Sequence, residues 1–173
     1  MNLKPFLRIL AILTILISNV GCDQISKSIV RKRIDYNEQI SLANSYVTLT
    51  KIENKGALLS IGHSLPHPVK LLLLTILPMI SLGLGFVYLM RQKNLSNITI
   101  LGSCFIVGGG VGNIYDKLIY GSVTDFLHID FVIFETAIFN MADVSIMTGV
   151  LILVGKALKS RMSNHVIEKS VIN

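Results

Sequence analysis

The sequence predicts an α-helical membrane protein: a bundle of four transmembrane helices with a small extracytoplasmic β-rich segment and an interfacial helix. Three observations carry that prediction. A mean hydropathy of +0.64 with 51% hydrophobic residues is too apolar for an ordinary soluble domain. The 173 residues contain apolar runs at about 6–27, 69–90, 97–115 and 138–157, each near the roughly 20 residues that cross a hydrocarbon core. Between the first two runs, residues 34–68 lose hydropathy and alternate apolar with polar, as in Tyr46-Val47-Thr48-Leu49-Thr50, which reads as short strands outside the membrane or on its surface.

The first run, from Phe6 to Cys22, follows Lys4 and contains Arg8. A cleaved secretory signal, a lipoprotein signal ending before Cys22 and a retained helix all compete for it. Asn19 occupies a position where the first reading wants a small residue and the second wants Leu, and three more spans follow, so a retained helix is expected. Asp23 and Lys27, one turn apart on the continuation of that helix, make an i,i+4 ion pair whose simplest role is to close the helix at the interface. Arg31-Lys32-Arg33 then read as a solvated or head-group-binding patch.

Within residues 34–68, Asn54 and Gly56 form a turn that leads through Ala57 to Ser60 into the interfacial helix, and His63 and His67 are loop histidines beside Pro66 and Pro68. In the second run, Pro78, Gly83 and Gly85 are tolerable where neighbouring helices cover the freed backbone. The third is rich in small residues (Gly102, Ser103, Gly108, Gly109, Gly110, Gly112), suited equally to close helix packing and to facing a substrate. Residues 116–137 read as an extramembrane loop, and the fourth run gives way to a polar, frayed tail.

The net charge of +6 does not indicate nucleic acid, because Lys and Arg are scattered among the apolar runs rather than gathered on one face. Cys22 and Cys104 have no metal-ligand spacing and are expected to pack as small hydrophobes. With no Trp, an aromatic belt must come from residues such as Phe86 and Tyr88. The positive-inside count is a tie: a cytoplasmic N-terminus puts eight Lys and Arg on each side. Lys4, Arg8 and the short basic turn Arg91–Lys93 break it in favour of cytoplasmic termini.

The chemistry is concentrated between Gly108 and Asp143. Asn113-Ile-Tyr-Asp116 ends one run and Asn140-Met-Ala-Asp143 begins the next, so the same N-x-x-D pattern stands twice, with Asn and Asp on one helix face each time. Antiparallel neighbours would bring both ends to one membrane level, with Asp125 on the loop between. Carboxylates are costly to keep there and usually functional. Two of them held close share a proton, so one activates water while the other donates to a developing oxyanion. This suits an aspartyl hydrolase needing neither metal nor Ser or Cys nucleophile. It also leaves a proton-coupled carrier open, and leaves open whether Asp116 or Asp125 partners Asp143.

Five blocks in order narrow the choice: Asp23-Gln24-x-x-Lys27; Asn54-x-Gly56-Ala57 followed by Ser60; Gly112-Asn113-x-x-Asp116; Val123-x-Asp125-Phe126; and Phe139-Asn140-x-Ala142-Asp143. Together they resemble the signal peptidase II family from the first helix to the last. The resemblance implies a bacterial inner-membrane aspartic endopeptidase that cleaves prolipoproteins before a diacylglyceryl-modified Cys. No cofactor or metal is implied; the partners are lipidated signal peptides and membrane lipid, with a monomer as the simplest state. It makes Asp125 and Asp143 the catalytic dyad, gives Asn113, Asp116 and Asn140 the holding of dyad and substrate, and has Asn54 contact the substrate backbone. Asp23, Lys27, Gly56 and Ala142 enter as further support or substrate-binding positions, with the active site near the extracytoplasmic face. Two positions depart from the pattern: Leu59 stands for a Phe, and Lys117 for an Arg, which keeps charge but loses a two-point fork.

Overall fold

The computed structural model describes residues 5–36, 38–42, 46–56, 65–131, 133 and 135–172. Long helices α1 (Pro5–Arg33), α2 (His67–Arg91), α3 (Asn97–Tyr120) and α4 (Met141–Ile172) enclose the bundle, each with a stretch long and apolar enough to cross a membrane. Strands β1 (Gln39–Leu42), β2 (Val47–Asn54) and β3 (Val123–Ile129) form one antiparallel sheet in that order. Side chains such as Ile17, Leu84 and Leu151 are well over half exposed, which is a lipid-facing surface rather than a solvated one.

The central helix is α3, the most buried of the spans. Its glycines make that position possible, and they serve packing. A Cβ on Gly108 would lie 2.8 Å from Asn19 of α1, one on Gly110 2.5 Å from Leu82 of α2, and one on Gly102 2.9 Å from Leu153 of α4. Successive small residues thus let three helices approach one axis. Asn19, weighed above as part of a signal sequence, is interhelical glue: its Oδ1 accepts from Ser145 Oγ at 2.6 Å. The α3 helix starts at Ser96, whose side chain accepts from Thr99 N–H, and stops at Gly121, which takes the left-handed φ of 73° that a glycine tolerates best.

Helix α2 is irregular for an identifiable reason. Pro78 has no N–H, so the carbonyl of Leu74 four residues back loses its helical donor. A π-turn covers Leu72–Ile76, and Lys117 Nζ of α3 donates to Leu74 O at 3.0 Å.

The structure departs from the sequence expectations in several places. Helix α1 continues through Arg33, beyond the expected end at residue 27, and α3 through Tyr120, beyond the expected end at residue 115. Asp125 lies in β3 and not on a loop, paired with Ile52 of β2. The tail after residue 157 stays helical to Ile172 because nothing in it breaks a helix. Phe86 packs on the core around Ile12, Leu89 and Val107 instead of forming a belt, whereas Tyr88 is exposed. Cys104 is buried as expected, but Cys22 is exposed. His67 opens α2; His63, the interfacial helix and Ala57–Ser60 lie outside the described residues.

Candidate active site

Every predicted site residue converges where the sheet meets the ends of α1, α3 and α4, and the first shared face is on α1. Asp23 and Lys27 are fully buried, with Lys27 Nζ 2.8 Å from Asp23 Oδ2 and 3.2 Å from Asp116 Oδ2. The expected interfacial pair is therefore the buried centre of a network. A buried ammonium demands that its protons be used, and the third bond goes to Asn113 Oδ1 at 2.9 Å. Asp23 Oδ1 accepts from the backbone N–H of Ala142 at 2.9 Å, which ties α1 to the start of α4. Gly112 is small because this carboxylate lies against it: a Cβ there would be 2.6 Å from Asp23 Oδ2 and 3.5 Å from Ala142 Cβ.

From Lys27 the network runs outward through two amides. Asn113 accepts from Lys27, so its Nδ2 is left to donate to Asp143 Oδ1, at 2.9 Å. Asn140 Nδ2 donates to Asn113 Oδ1 at 3.2 Å and to Asp125 Oδ1 at 2.6 Å. Asn140 is also the N-cap of α4: its Oδ1 accepts from Asp143 N–H at 3.1 Å while Asp143 Oδ2 accepts from Asn140 N–H at 3.1 Å. This is a reciprocal capping box built from Asn and Asp. One function of the N-x-x-D spacing is thus to start a helix, and the same residues fix the carboxylate of Asp143.

Asp125 is buried, at 4% exposure, and held from both sides: Asn140 binds Oδ1, and Asn54 Nδ2 donates to Oδ2 at 3.0 Å. Asn54 is itself oriented, its Oδ1 accepting from Gly56 N–H at 2.9 Å. Burial pushes the Asp125 carboxyl up to about 6, with the neighbouring Asp143 carboxylate adding to the rise and the two amide donors opposing it. A carboxyl titrating there is matched to proton transfer near neutral pH.

Asp116 does not join the two acids at the reactive edge. It is fully buried and its Oδ2 lies 2.8 Å from Arg31 Nη2, accepts from Thr124 N–H at 3.2 Å and faces Lys27. Arg31 is the residue the sequence reading missed. It belongs to no head-group patch: its guanidinium stacks 3.9 Å from the Tyr120 ring centroid and its Nε donates to Thr124 Oγ1 at 2.8 Å. Glu53 was missed as well; it accepts from Ser122 and Thr124 at 2.6 and 2.9 Å. The signal for Arg31 was present, since 23, 27 and 31 repeat at one helical turn. Among the described residues no group of His, Cys, Asp and Glu side chains is arranged to hold a metal ion.

The geometry thus offers two carboxylates, Asp125 and Asp143, held by Asn140 and Asn113 and backed by a buried cation. Comparison with known proteins shows the family. Residues 15–159 match the family model described as signal peptidase (SPase) II. A lipoprotein signal peptidase of Streptococcus pneumoniae is 33% identical over 157 residues, covering 91% of this chain and 97% of that protein. One from Aquifex aeolicus is 32% identical over 144 residues, covering 83% of each. A solved bacterial membrane enzyme superposes with a TM-score of 0.76 at 24% identity, over 87% of this chain and 89% of that one.

Proposed function

The chain belongs to the signal peptidase II family, and on that premise we propose that Asp125 and Asp143 are the catalytic pair with which it cleaves its substrates. It is a multi-pass membrane aspartic endopeptidase that removes signal peptides from prolipoproteins; a carrier function is not favoured. The observation that carries the dyad is the shared clamp: Asn140 binds the Asp125 carboxylate with its side chain and the Asp143 carboxylate with its backbone N–H.

With one proton between the two, a water held by both acids loses a proton to the ionised carboxylate as it attacks the scissile carbonyl. The protonated carboxyl donates to the carbonyl oxygen as charge develops, and the same proton inventory then protonates the leaving amine. Lys27, placed behind Asn113, fixes that amide so that its N–H group, and not its oxygen, faces Asp143. Asp23 and Asp116 neutralise Lys27, Arg31 ties Asp116 to Thr124 of the sheet, and Asn54 with Gly56 presents a polar edge for the substrate backbone.

We further infer that the termini are cytoplasmic and that the sheet and dyad face the other side. The short turn at the end of the bundle away from the sheet is basic, with Arg91 and Lys93, and it is held by basic side chains: Arg8 donates to Leu89 O at 2.8 Å and to Gln92 O, and Lys156 donates to Ser96 Oγ at 2.8 Å. The scissile bond is then before the lipidated Cys at the outer interface, and lipid reaches the site sideways. A groove of ≈ 490 Å³ between α1, α2 and α3, lined by apolar residues such as Leu16, Val20, Leu82 and Val111, supports lipid as a partner. The hydrogen bonds that hold the dyad among the described residues close within the chain, so a monomer needs no second copy to complete them.

The test is processing of a lipidated precursor by purified protein. Asp125→Asn and Asp143→Asn should each lower turnover at least about a thousandfold while the protein remains folded. Wild-type processing by either variant would refute the dyad. Labelling of single cysteines placed at Lys93 and at Gln39 from opposite sides of the membrane would overturn the orientation if both reacted from one side.

A further inference from the structure

The dyad accounts for one end of a larger feature. A cleft of ≈ 630 Å³ runs across the outer face of the sheet, with Asp125 and Asn54 at one end and Gln39 and Asp130 among its lining. Strand β2 supplies one wall through alternate residues, Thr48, Thr50, Ile52 and Asn54. Strand β3 breaks its alternation to supply the other. Phe126 and Leu127 both pack inward against Val30 and Ile34, and both their N–H groups donate to Phe139 O, at 3.0 and 2.8 Å. This bulge-like break brings Asp125 and His128 to the same face, although they are three positions apart.

The direction of the cleft follows from the chain. Strand β3 begins at Val123, just after α3 ends at Tyr120, so Asp125 is near the helical bundle and Asp130 is farther from it. At about 3.3 Å per residue, His128 lies about 10 Å and Asp130 about 17 Å beyond Asp125. A substrate whose signal helix is in the membrane, with its scissile bond at the dyad, has only its mature segment to send outward.

The lining chemistry suits that segment. The threonines offer hydroxyls to a peptide backbone. His128 Nδ1 is buried without a hydrogen-bond partner among the described residues, a costly state that a substrate N–H or C=O would relieve. The lining carries two acids, Asp125 and, at the outer end, Asp130, and Glu135 lies next to the cleft, 3.7 Å from His128, in a protein of net charge +6.

We propose that this cleft binds, as an extended chain, the residues that follow the lipidated Cys, and that its acidic outer end favours basic side chains at about the third to fifth of them. The proposal rests on the peptidase reading above and deepens it to substrate preference. A set of lipidated precursor peptides, identical up to the Cys and carrying Ser, Lys or Asp at those positions, tests it through kcat/KM in detergent or bicelles. Lys should exceed Ser by about two- to fivefold and Asp should fall below Ser by as much, with both differences shrinking at high salt. Peptides ending one residue after the Cys should lose about tenfold, chiefly in KM. Asp130→Asn should remove the lysine preference and Asp130→Glu retain it. Equal kcat/KM across the set, or a lysine preference that survives Asp130→Asn, would overturn the proposal. Failure to cleave even the Ser peptide would instead refute the peptidase reading.

Discussion

The raised carboxyl of Asp125 makes a prediction about stability that is independent of turnover. In the unfolded chain this acid ionises around the ordinary 3.8; in the folded protein it is 4% exposed and titrates at about 6. Below pH 3.8 both states hold the proton and the site costs nothing. Between 3.8 and about 6 the unfolded chain has lost the proton while the folded protein keeps it, so wild-type stability falls as pH rises through that window and is flat above it. At 1.36 kcal/mol per pH unit the fall is about 3 kcal/mol. Asp125→Asn cannot ionise and escapes it. The variant has a constant handicap, because an amide keeps one acceptor oxygen for the two donors, Asn54 and Asn140, and turns an NH2 group toward the other. What changes with pH is therefore the difference between the two proteins. Thermal unfolding in detergent from pH 3.5 to 8 should show Asn gaining on wild type by about 3 kcal/mol, or about 6–12 °C in Tm for a chain of this size, all of it below about pH 6.5. A difference that stayed constant across the range would mean that Asp125 ionises like an ordinary carboxylate, and the shared-proton mechanism would lose its acid.

Three further outcomes are expected. Lys27→Met, which leaves Asp23 and Asp116 buried around an apolar tip, should cost about 3–5 kcal/mol of stability, and adding Asp23→Asn should recover part of it, as read by thermal unfolding. Lys117→Arg should keep activity, whereas Lys117→Ala leaves the Leu74 carbonyl without its donor and should cost about 1–3 kcal/mol together with turnover; Pro78→Ala, which restores the helical N–H, should make Lys117→Ala nearly harmless, and additive effects in the double variant would break that link. Gly112→Ala drives a methyl into Asp23 and should lower both activity and Tm, while Gly83→Ala, with nothing within 4 Å, should leave both unchanged.

Much of the fold was legible in the sequence because membrane insertion depends on local composition: four apolar runs and a polar, alternating segment imply the helices and sheet without knowledge of contacts. The motif blocks named the site for a related reason, since an Asp or Lys that costs so much in lipid persists where it works. Arg31 and Glu53 escaped, because a basic cluster after a span and an acid in an exposed-looking strand have ordinary explanations until a partner is seen. The partner of each lies far along the chain, Asp116 for Arg31 and Ser122 with Thr124 for Glu53.

Sequence by itself determined that this is a four-span membrane protein, and its aspartate motifs marked the residues that gather at one end of the bundle. Local spacing could not decide between Asp116 and Asp125. Both are aspartates next to a membrane boundary, and Asp116 even shares the N-x-x-D pattern with Asp143. Tertiary structure separates them by what surrounds each carboxylate. Asp116 is saturated by Lys27, Arg31, Gln24 and Thr124. Asp125 receives two neutral amide donors and opens onto a cleft. A carboxylate whose oxygens are taken up by two cations and two further donors has no place left for a water, whereas one held by neutral donors beside a second acid and open to a cleft has, and only the packing of α1 and the sheet on α3 and α4 creates that difference.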